Sequence, residues 1–391
     1  MKKKILFINP SLRQGGVEHS LITALKALDP ERYDVTLFLY TDLSDLLPEV
    51  PEHVKVVLHP DKTRYFRKPY CVWKMLLFRV YGALGKKNKA EAARKNTYAY
   101  IHRQKVAYPA KRLFANEKFD AVVSYSLHIG TEMGLQISAD RRYVLMHSSD
   151  PEYHREIIER SLIQYDNVIA VSESVADVYR KSYPFLSERI ITVPNYVDAE
   201  RTLKLSRAGD HTETFPATDR ILATCGRLSH EKGFDLAVNA AEILKNSGIS
   251  FVWFFIGDGA ERGHIESAIH EKDLDNEIRI TGFLENPFPF MNECDIYVQP
   301  SYEEAQPLVL LEALILGKAI VSTDTVGGRT ILENGKKGVL TPITADGLAA
   351  GIKTLITDDN LRRSFENLYT LEDNLREKHA YEAAWNRLLS E

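Results

Sequence analysis

The sequence predicts an α/β fold of two successive Rossmann-like domains facing a cleft, and three observations carry that prediction. Short apolar runs alternate with longer helical patterns, the signature of parallel sheets covered by helices. The alternation runs twice, interrupted by a polar stretch from Asp198 to Arg220 that holds a Gly-Asp pair and a Pro and lacks a core pattern. The length, 391 residues, suffices for two ordinary domains, each with its own core.

Taken in order, the first half gives strands at Lys4–Ile8, Val35–Leu39, Val54–Val57, Ala121–Ser124, Tyr143–Met146, Val168–Val171 and Ile190–Val193. The polar stretch after Asp198 reads as the linker, so a first domain spans 1–197 and a second 198–370. The second half gives strands at Ile221–Cys225, Phe251–Ile256, Ile278–Thr281, Ile296–Gln299 and Ala319–Ser322. Residues 371–391 follow as a helix with Tyr381 and Trp385 on one face.

Composition narrows the function. The chain is 44% hydrophobic and 27% charged, as in soluble globular proteins. Cys71, Cys225 and Cys294 form no C-x-x-C pair, which argues against a disulfide framework or structural zinc and fits a reducing cytoplasm. The apolar run Ile5–Ile8 is too short for a signal peptide, and no segment approaches the ~20 apolar residues that span a bilayer. Net charge is −4 but uneven: from Asp61 to Lys118 there are 16 Lys and Arg against 3 acids, leaving −17 elsewhere. Such a block predicts an anionic partner surface. Within it, Tyr70–Tyr81 mixes aromatic and aliphatic residues with Lys74 and Arg79, as in a helix lying in a membrane interface. An ordinary helix with a solvated basic face is the alternative. Nucleic acid is not the expected partner, because no recognition motif accompanies the charge.

The chemistry-bearing residues cluster at strand ends. Glu304 and Glu312 are separated by seven residues, Glu304 in a loop and Glu312 within the apolar run 308–316, with Pro307 suited to a first helical turn. That run is apolar on every helical face, so its helix is expected to be buried. A carboxylate there needs hydrogen-bond partners, and hydroxyl groups of a sugar nucleotide would supply them. Arg227 and Lys232 flank a loop that leads from a strand into a helix near Gly233, a good anion site. Gly15-Gly16 opens a helix after the first strand, where glycine lets backbone amides approach a ligand. His147 ends the fifth strand, where open α/β sheets place ligands, and His128 ranks below it. Gly257-Asp258-Gly259 with Gly263 approaches a dinucleotide fingerprint, but the next strand ends at Gly282-Phe283 without the required acid. Asp273-Leu274-Asp275 sits in a charged stretch and reads as surface, and no clustered His, Cys and Asp predict a metal site.

Together the segments Gly15–Glu18, Met146–Asp150, Val193–Asp198, Gly226–Gly233, Ile256–Gly259, Gly282-Phe283 and the Glu304–Glu312 pair resemble, in order and spacing, the retaining glycosyltransferases of family 4, which have the GT-B fold. The resemblance covers the chain from end to end. It implies a nucleotide-sugar-dependent hexosyltransferase that needs no metal or other cofactor. UDP donors are expected ahead of GDP, and a glycan or lipid-linked glycan as acceptor, in cell-surface polysaccharide synthesis. It implies that Arg227 and Lys232 hold the donor diphosphate, that Gly15 and Gly16 touch it from the first domain, and that His147 lies at the transferred sugar. Glu304 would hold sugar hydroxyls and Glu312 ribose hydroxyls. The loop of Gly257 and Asp258, with Phe283, would lie near the nucleotide base, and the turn Ala305-Gln306-Pro307-Leu308 against the sugar. Many relatives have Gly after the first acid, where this chain has Ala305-Gln306, a change expected to alter donor preference. The last helix of such enzymes often crosses back to the first domain. Two other readings stay open: another GT-B activity, such as a phosphorylase or sugar-nucleotide epimerase, and a non-catalytic partner subunit. Intact Arg227, Lys232, Glu304 and Glu312 weigh against the last. The expected location is the cytoplasm, at the inner face of the membrane.

Overall fold

The structure is a computed structural model, and its described residues are 1–13, 15–41, 44–59, 108–127, 129–151, 155, 161–208 and 220–390. His128, the Tyr70–Tyr81 segment and most of the basic block lie outside them. The chain divides into two compact units. One comprises Met1–Ala170, Tyr179–Thr192 and Trp385–Glu391; the other comprises Val171–Val178 and Val193–Ala384.

The first unit is built on a seven-stranded sheet: β1 (Lys3–Asn9), β2 (Tyr33–Leu39), β3 (Lys55–Leu58), β4 (Phe119–Ser124), β5 (Ala139–Met146), β6 (Asn167–Ala170) and β7 (Ile190–Thr192). Their order is β3-β2-β1-β4-β5-β6-β7 and every pairing is parallel. All seven expected strands form, most of them longer than their apolar centres. Leu6, Ile8, Phe38 and Val122 pack one face against Ala110 and Met133. On the other face the Trp385 ring lies 5.8 Å from Phe7 and stacks at 6.4 Å on Tyr125. Tyr143 Oη donates to the Leu388 carbonyl at 2.9 Å, and Lys3 Nζ donates to the carbonyls of Leu389 and Ser390 at 3.1 and 2.7 Å. A cation there satisfies the orphan carbonyls at the end of the helix Leu371–Ser390.

The second unit carries a six-stranded parallel sheet: β8 (Arg220–Cys225), β9 (Phe251–Ile256), β10 (Ile278–Gly282), β11 (Ile296–Gln299), β12 (Ala319–Thr323) and β13 (Val339–Thr341), in the order β10-β9-β8-β11-β12-β13. Helices cover both faces, so its strands read as unbroken apolar runs. Trp253 and Phe255 point into one core, with Leu222 and Val298. Val252 and Phe254 point into the other, with Tyr297 and Ile320.

Three expectations need correction. The Asp198–Arg220 stretch is not all linker. Asp198 caps a helix, Ala199–Ser206, by accepting from the Arg201 amide at 3.0 Å, and that helix buries Ala199, Thr202 and Ser206. Strand β13 was not foreseen, because three residues carry no periodicity. The helix Leu308–Ile315 is not buried all round: Leu308, Val309, Leu311 and Glu312 are partly exposed.

Candidate active site

In the second sheet the strand order reverses between β8 and β11, which pair directly. Open α/β sheets bind ligands outside the carboxyl ends of the strands at such a reversal. The loops that leave β8, β9, β10 and β11 at this edge are laced together by their backbones. The Gly226 amide donates to Ile256 O at 2.9 Å, Leu228 N to Asp258 O at 3.0 Å, Gly257 N to Gly282 O at 3.0 Å and Tyr302 N to Glu231 O at 2.9 Å. Glycine is required where the loops touch. Gly257 has φ +147, and a Cβ there would lie 1.9 Å from the Gly226 carbonyl oxygen. Gly233, at φ +66, ends a short turn holding Lys232 and caps the helix Phe234–Asn246; its Cβ would meet Pro300 O at 2.1 Å.

This lacing brings Lys232 and Glu304 into contact. Lys232 Nζ lies 2.7 Å from Glu304 Oε1. Ser301 Oγ and Gln299 Nε2 donate to the same oxygen at 2.8 and 3.0 Å. Tyr297 Oη donates to Gln299 Oε1 at 3.1 Å, which orients the Gln299 carboxamide. Burial holds the Tyr297 pKa well above its usual value, so the phenol keeps the proton it donates. Glu304 is 8% exposed, yet with three donors on Oε1 its charge is well supported. Oε2 accepts from no described residue and is the oxygen left for a ligand. Arg227 is exposed and makes no side-chain hydrogen bond to a described residue, so its guanidinium is free to meet an anion beside the helix start.

Glu312 is different. Its carboxylate has no hydrogen bond or ion pair with any described residue. Burial pushes its pKa up to about 7, and the field of Arg201 offsets this only in part. The fold itself therefore bears the cost of that acid. The ordinary value is 4.5, so the protonated folded form is favoured below it, and the associated stability is lost as pH rises through about 7. Glu312→Gln is expected to raise stability at pH 8 by about 1–3 kcal/mol and to change little at pH 5. Thermal melts of the two proteins across this pH range check it; equal pH slopes would contradict it. Nearby, burial pushes the Cys225 thiol up to about 12, with Glu312 adding to the effect, so Cys225 is no nucleophile.

The remaining predicted residues fall as follows. An antiparallel bridge joins Gly257 to Gly282, and Phe283, the next residue, is 56% exposed. Asp258 accepts from the Gly259 amide at 2.7 Å and from Arg262 at 3.0 Å. Ala305 and Pro307 are buried, and Leu308 begins the acid helix. The Gln306 carboxamide bonds to the backbone of Asn195, accepting from its amide at 2.9 Å and donating to its carbonyl at 3.5 Å. Asp273 and Asp275 face separate partners on the surface, Lys245 at 3.2 Å and His270 at 3.3 Å.

In the first unit, Gly15 caps the helix Gly16–Lys26 as expected from the sequence. A Cβ on Gly15 would lie 2.6 Å from Glu18 Oε2, so the carboxylate of Glu18 sits beside this turn and opposes an anion there. His147 follows β5 with Nε2 2.9 Å from the Tyr125 carbonyl. A carbonyl only accepts, so Nε2 carries the proton and Nδ1 is a bare acceptor. Burial lowers the His147 pKa to about 4, against the opposing Tyr125 bond, so the ring is neutral at pH 7. It is suited to accept from a hydroxyl rather than to act as an acid.

Sequence reasoning missed Gln299 and Ser301. The signal was present: Gln299 is a polar residue ending an apolar strand, and Ser301 lies two positions on.

Residues 14–201 match the Glycosyltransferase Family 4 model and residues 210–368 the Glycosyl transferases group 1 model. A lipopolysaccharide core biosynthesis glycosyltransferase, LpsE, of Rhizobium meliloti is 26% identical over 197 residues, 50% of this chain and 54% of its own length. An N-acetylgalactosamine-N,N'-diacetylbacillosaminyl-diphospho-undecaprenol 4-alpha-N-acetylgalactosaminyltransferase of Campylobacter jejuni is 28% identical over 157 residues, 40% of this chain and 42% of its own length. The chain thus spans about half, or less, of the curated relatives it matches. The crystal structure of Anabaena Alr3699/HepE in complex with UDP and glucose matches with a TM-score of 0.68 at 18% identity, covering 99% of this chain and 98% of that one. With two family models matched in chain order and one architecture shared throughout, the chain belongs to the family 4 glycosyltransferases of the GT-B fold.

Proposed function

We propose that the protein is a retaining, metal-independent glycosyltransferase. It moves a hexose-type sugar from a nucleotide diphosphate donor, UDP ahead of GDP, to a hydroxyl of a glycan or lipid-linked glycan in cell-surface polysaccharide synthesis. One observation carries this reading: a lysine and a three-fold-bonded glutamate meet at the strand-order reversal, at the start of a helix. Breaking the sugar C–O bond leaves negative charge on a phosphate oxygen. Lys232, Arg227 and the first amides of the helix Phe234–Asn246 can stabilise that charge. Glu304 Oε2 accepts from sugar hydroxyls, and Glu312 from the ribose hydroxyls, which also relieves its unpartnered state. The acceptor hydroxyl attacks from the face the leaving group departs, and the departing phosphate takes its proton. The relatives named above support the polysaccharide setting, and the matched UDP complex supports the donor class. The basic stretch 61–118 supports an acceptor linked to a lipid phosphate, used at the inner face of the membrane. Among the described residues no helix is long and apolar enough to cross a membrane.

The test is product formation from UDP-sugars and an undecaprenyl-linked oligosaccharide in excess EDTA, with linkage read by NMR. An α-linked product is expected. A product that forms only with Mn²⁺ or Mg²⁺ overturns metal independence, a β-linked product overturns retention, and sugar release that requires phosphate identifies a phosphorylase. At pH 8, above the Glu312 pKa of about 7, Glu312→Gln is expected to weaken binding of free UDP by calorimetry, because a charged acceptor becomes a neutral amide.

A further inference from the structure

Gln306 stands two residues after Glu304, and its side chain makes two bonds to one residue. Oε1 accepts from the Asn195 amide at 2.9 Å, and Nε2 donates to the Asn195 carbonyl at 3.5 Å. An amide N–H only donates and a carbonyl only accepts, so the backbone itself dictates which way the carboxamide points. Asn195 lies just past Thr192, where the chain passes from the first unit to the second.

The same short segment is gripped from its other side by Asn374, which is 5% exposed. Asn374 Oδ1 accepts from Tyr196 Oη at 2.8 Å and from the Ala199 amide at 3.2 Å, and its Nδ2 donates to Val197 O at 2.7 Å. Asn374 belongs to the helix Leu371–Ser390, whose residues group with the first unit from Trp385 onward. Residues 195–199 are thereby fastened to the acid turn on one side and to the last helix on the other, all within the second unit.

The acid turn is held from inside by other bonds. Glu304 O accepts from the Gly327 amide at 2.8 Å, and Oε1 takes its three donors. Gln306 adds the tie to the crossing segment. We propose that Gln306 is a positioning residue for donor recognition: it makes the turn carrying Glu304 and the crossing segment move as one piece. This rests on the assignment of Glu304 to the donor sugar. By linkage, a sugar held at Glu304 then steadies residues 195–199, and a loosened segment weakens the sugar contact equally.

The experiment compares wild type, Gln306→Leu and Gln306→Glu by hydrogen exchange, with UDP-glucose and UDP as probes in calorimetry. Without ligand, Gln306→Leu is expected to speed exchange in peptide 193–198 by about tenfold, the loss of one net hydrogen bond. Gln306→Glu keeps the acceptor for the Asn195 amide but sets its other oxygen against the Asn195 carbonyl, so it is expected to restore only part of the protection. Gln306→Leu is also expected to weaken UDP-glucose about tenfold more than UDP, because the proposed role of Glu304 is to hold the sugar and not the nucleotide. Unchanged exchange in Gln306→Leu overturns the tie, whatever the donor. Faster exchange with UDP-glucose and UDP weakened equally overturns the positioning role. If wild type binds neither probe, the donor assignment beneath the role fails, while the ligand-free exchange still decides whether the tie exists.

Discussion

Lys232→Ala is expected to lower sugar transfer by about 100-fold or more, the usual loss when one charge partner of a transition state is removed. The same change reaches the folded state, because Glu304 loses the cation on Oε1 and keeps only Gln299 and Ser301. Lys232 retains 28% of its side-chain exposure, so this cost is below that of a fully buried pair, about 2 kcal/mol. The two losses separate in the double variant Lys232→Ala/Glu304→Gln. A neutral amide no longer needs the cation, so the double variant is expected to melt closer to wild type while transfer stays low. Transfer assays and thermal melts on the three proteins give the answer. Near-normal transfer in Lys232→Ala would reject the diphosphate role.

Gly257→Ala is expected to be the most destabilising single methyl in the second unit's site. At φ +147 an L-residue is strained, and the added Cβ falls on a backbone oxygen at 1.9 Å, which no rotamer change relieves. The ends of β8 and β9 must separate at Gly226, where Arg227 emerges. Strain and overpacking together put the cost at about 3 kcal/mol or more, a fall of roughly 6–12 °C in the melting temperature of a unit this size. Gly248→Ala is the control. Gly248 also has positive φ, +72, but nothing lies within 4 Å of its missing Cβ, so only the left-handed conformation, about 1 kcal/mol, is lost. Similar melting temperatures for the two variants would show that the loops at Gly226 and Gly257 yield easily.

The strand plan was legible because parallel sheets buried on both faces leave continuous apolar runs, such as Phe251–Ile256. The helix Ala199–Ser206 was not, because it buries Thr202 and Ser206 on its inner face and so shows no apolar stripe. Glu304, Glu312, Arg227 and Lys232 stood out as charges at strand and helix ends. What each charge touches was hidden. Lys232 and Glu304 are 72 residues apart in sequence, and Gln306 and Asn195 are 111 apart. Such partners are set by sheet order, which local pattern does not encode. Gln306 shows the consequence: its bonds to Asn195, 111 residues away, could not be read from its neighbours in sequence.

The Trp385 ring lies against Phe7 and Tyr125, and the Leu388, Leu389 and Ser390 carbonyls accept from the Tyr143 and Lys3 side chains of the first sheet. On the ribosome, the strands of that sheet are all made by Thr192, yet the Trp385 contacts on this face are missing until residue 385 has been synthesised. The half of the protein that is translated first is therefore the half that is closed last. While the second unit is being made, Phe7 and Tyr125 lack the indole that packs on them in the finished fold, and the first unit's stability at that stage is short by one tryptophan's burial.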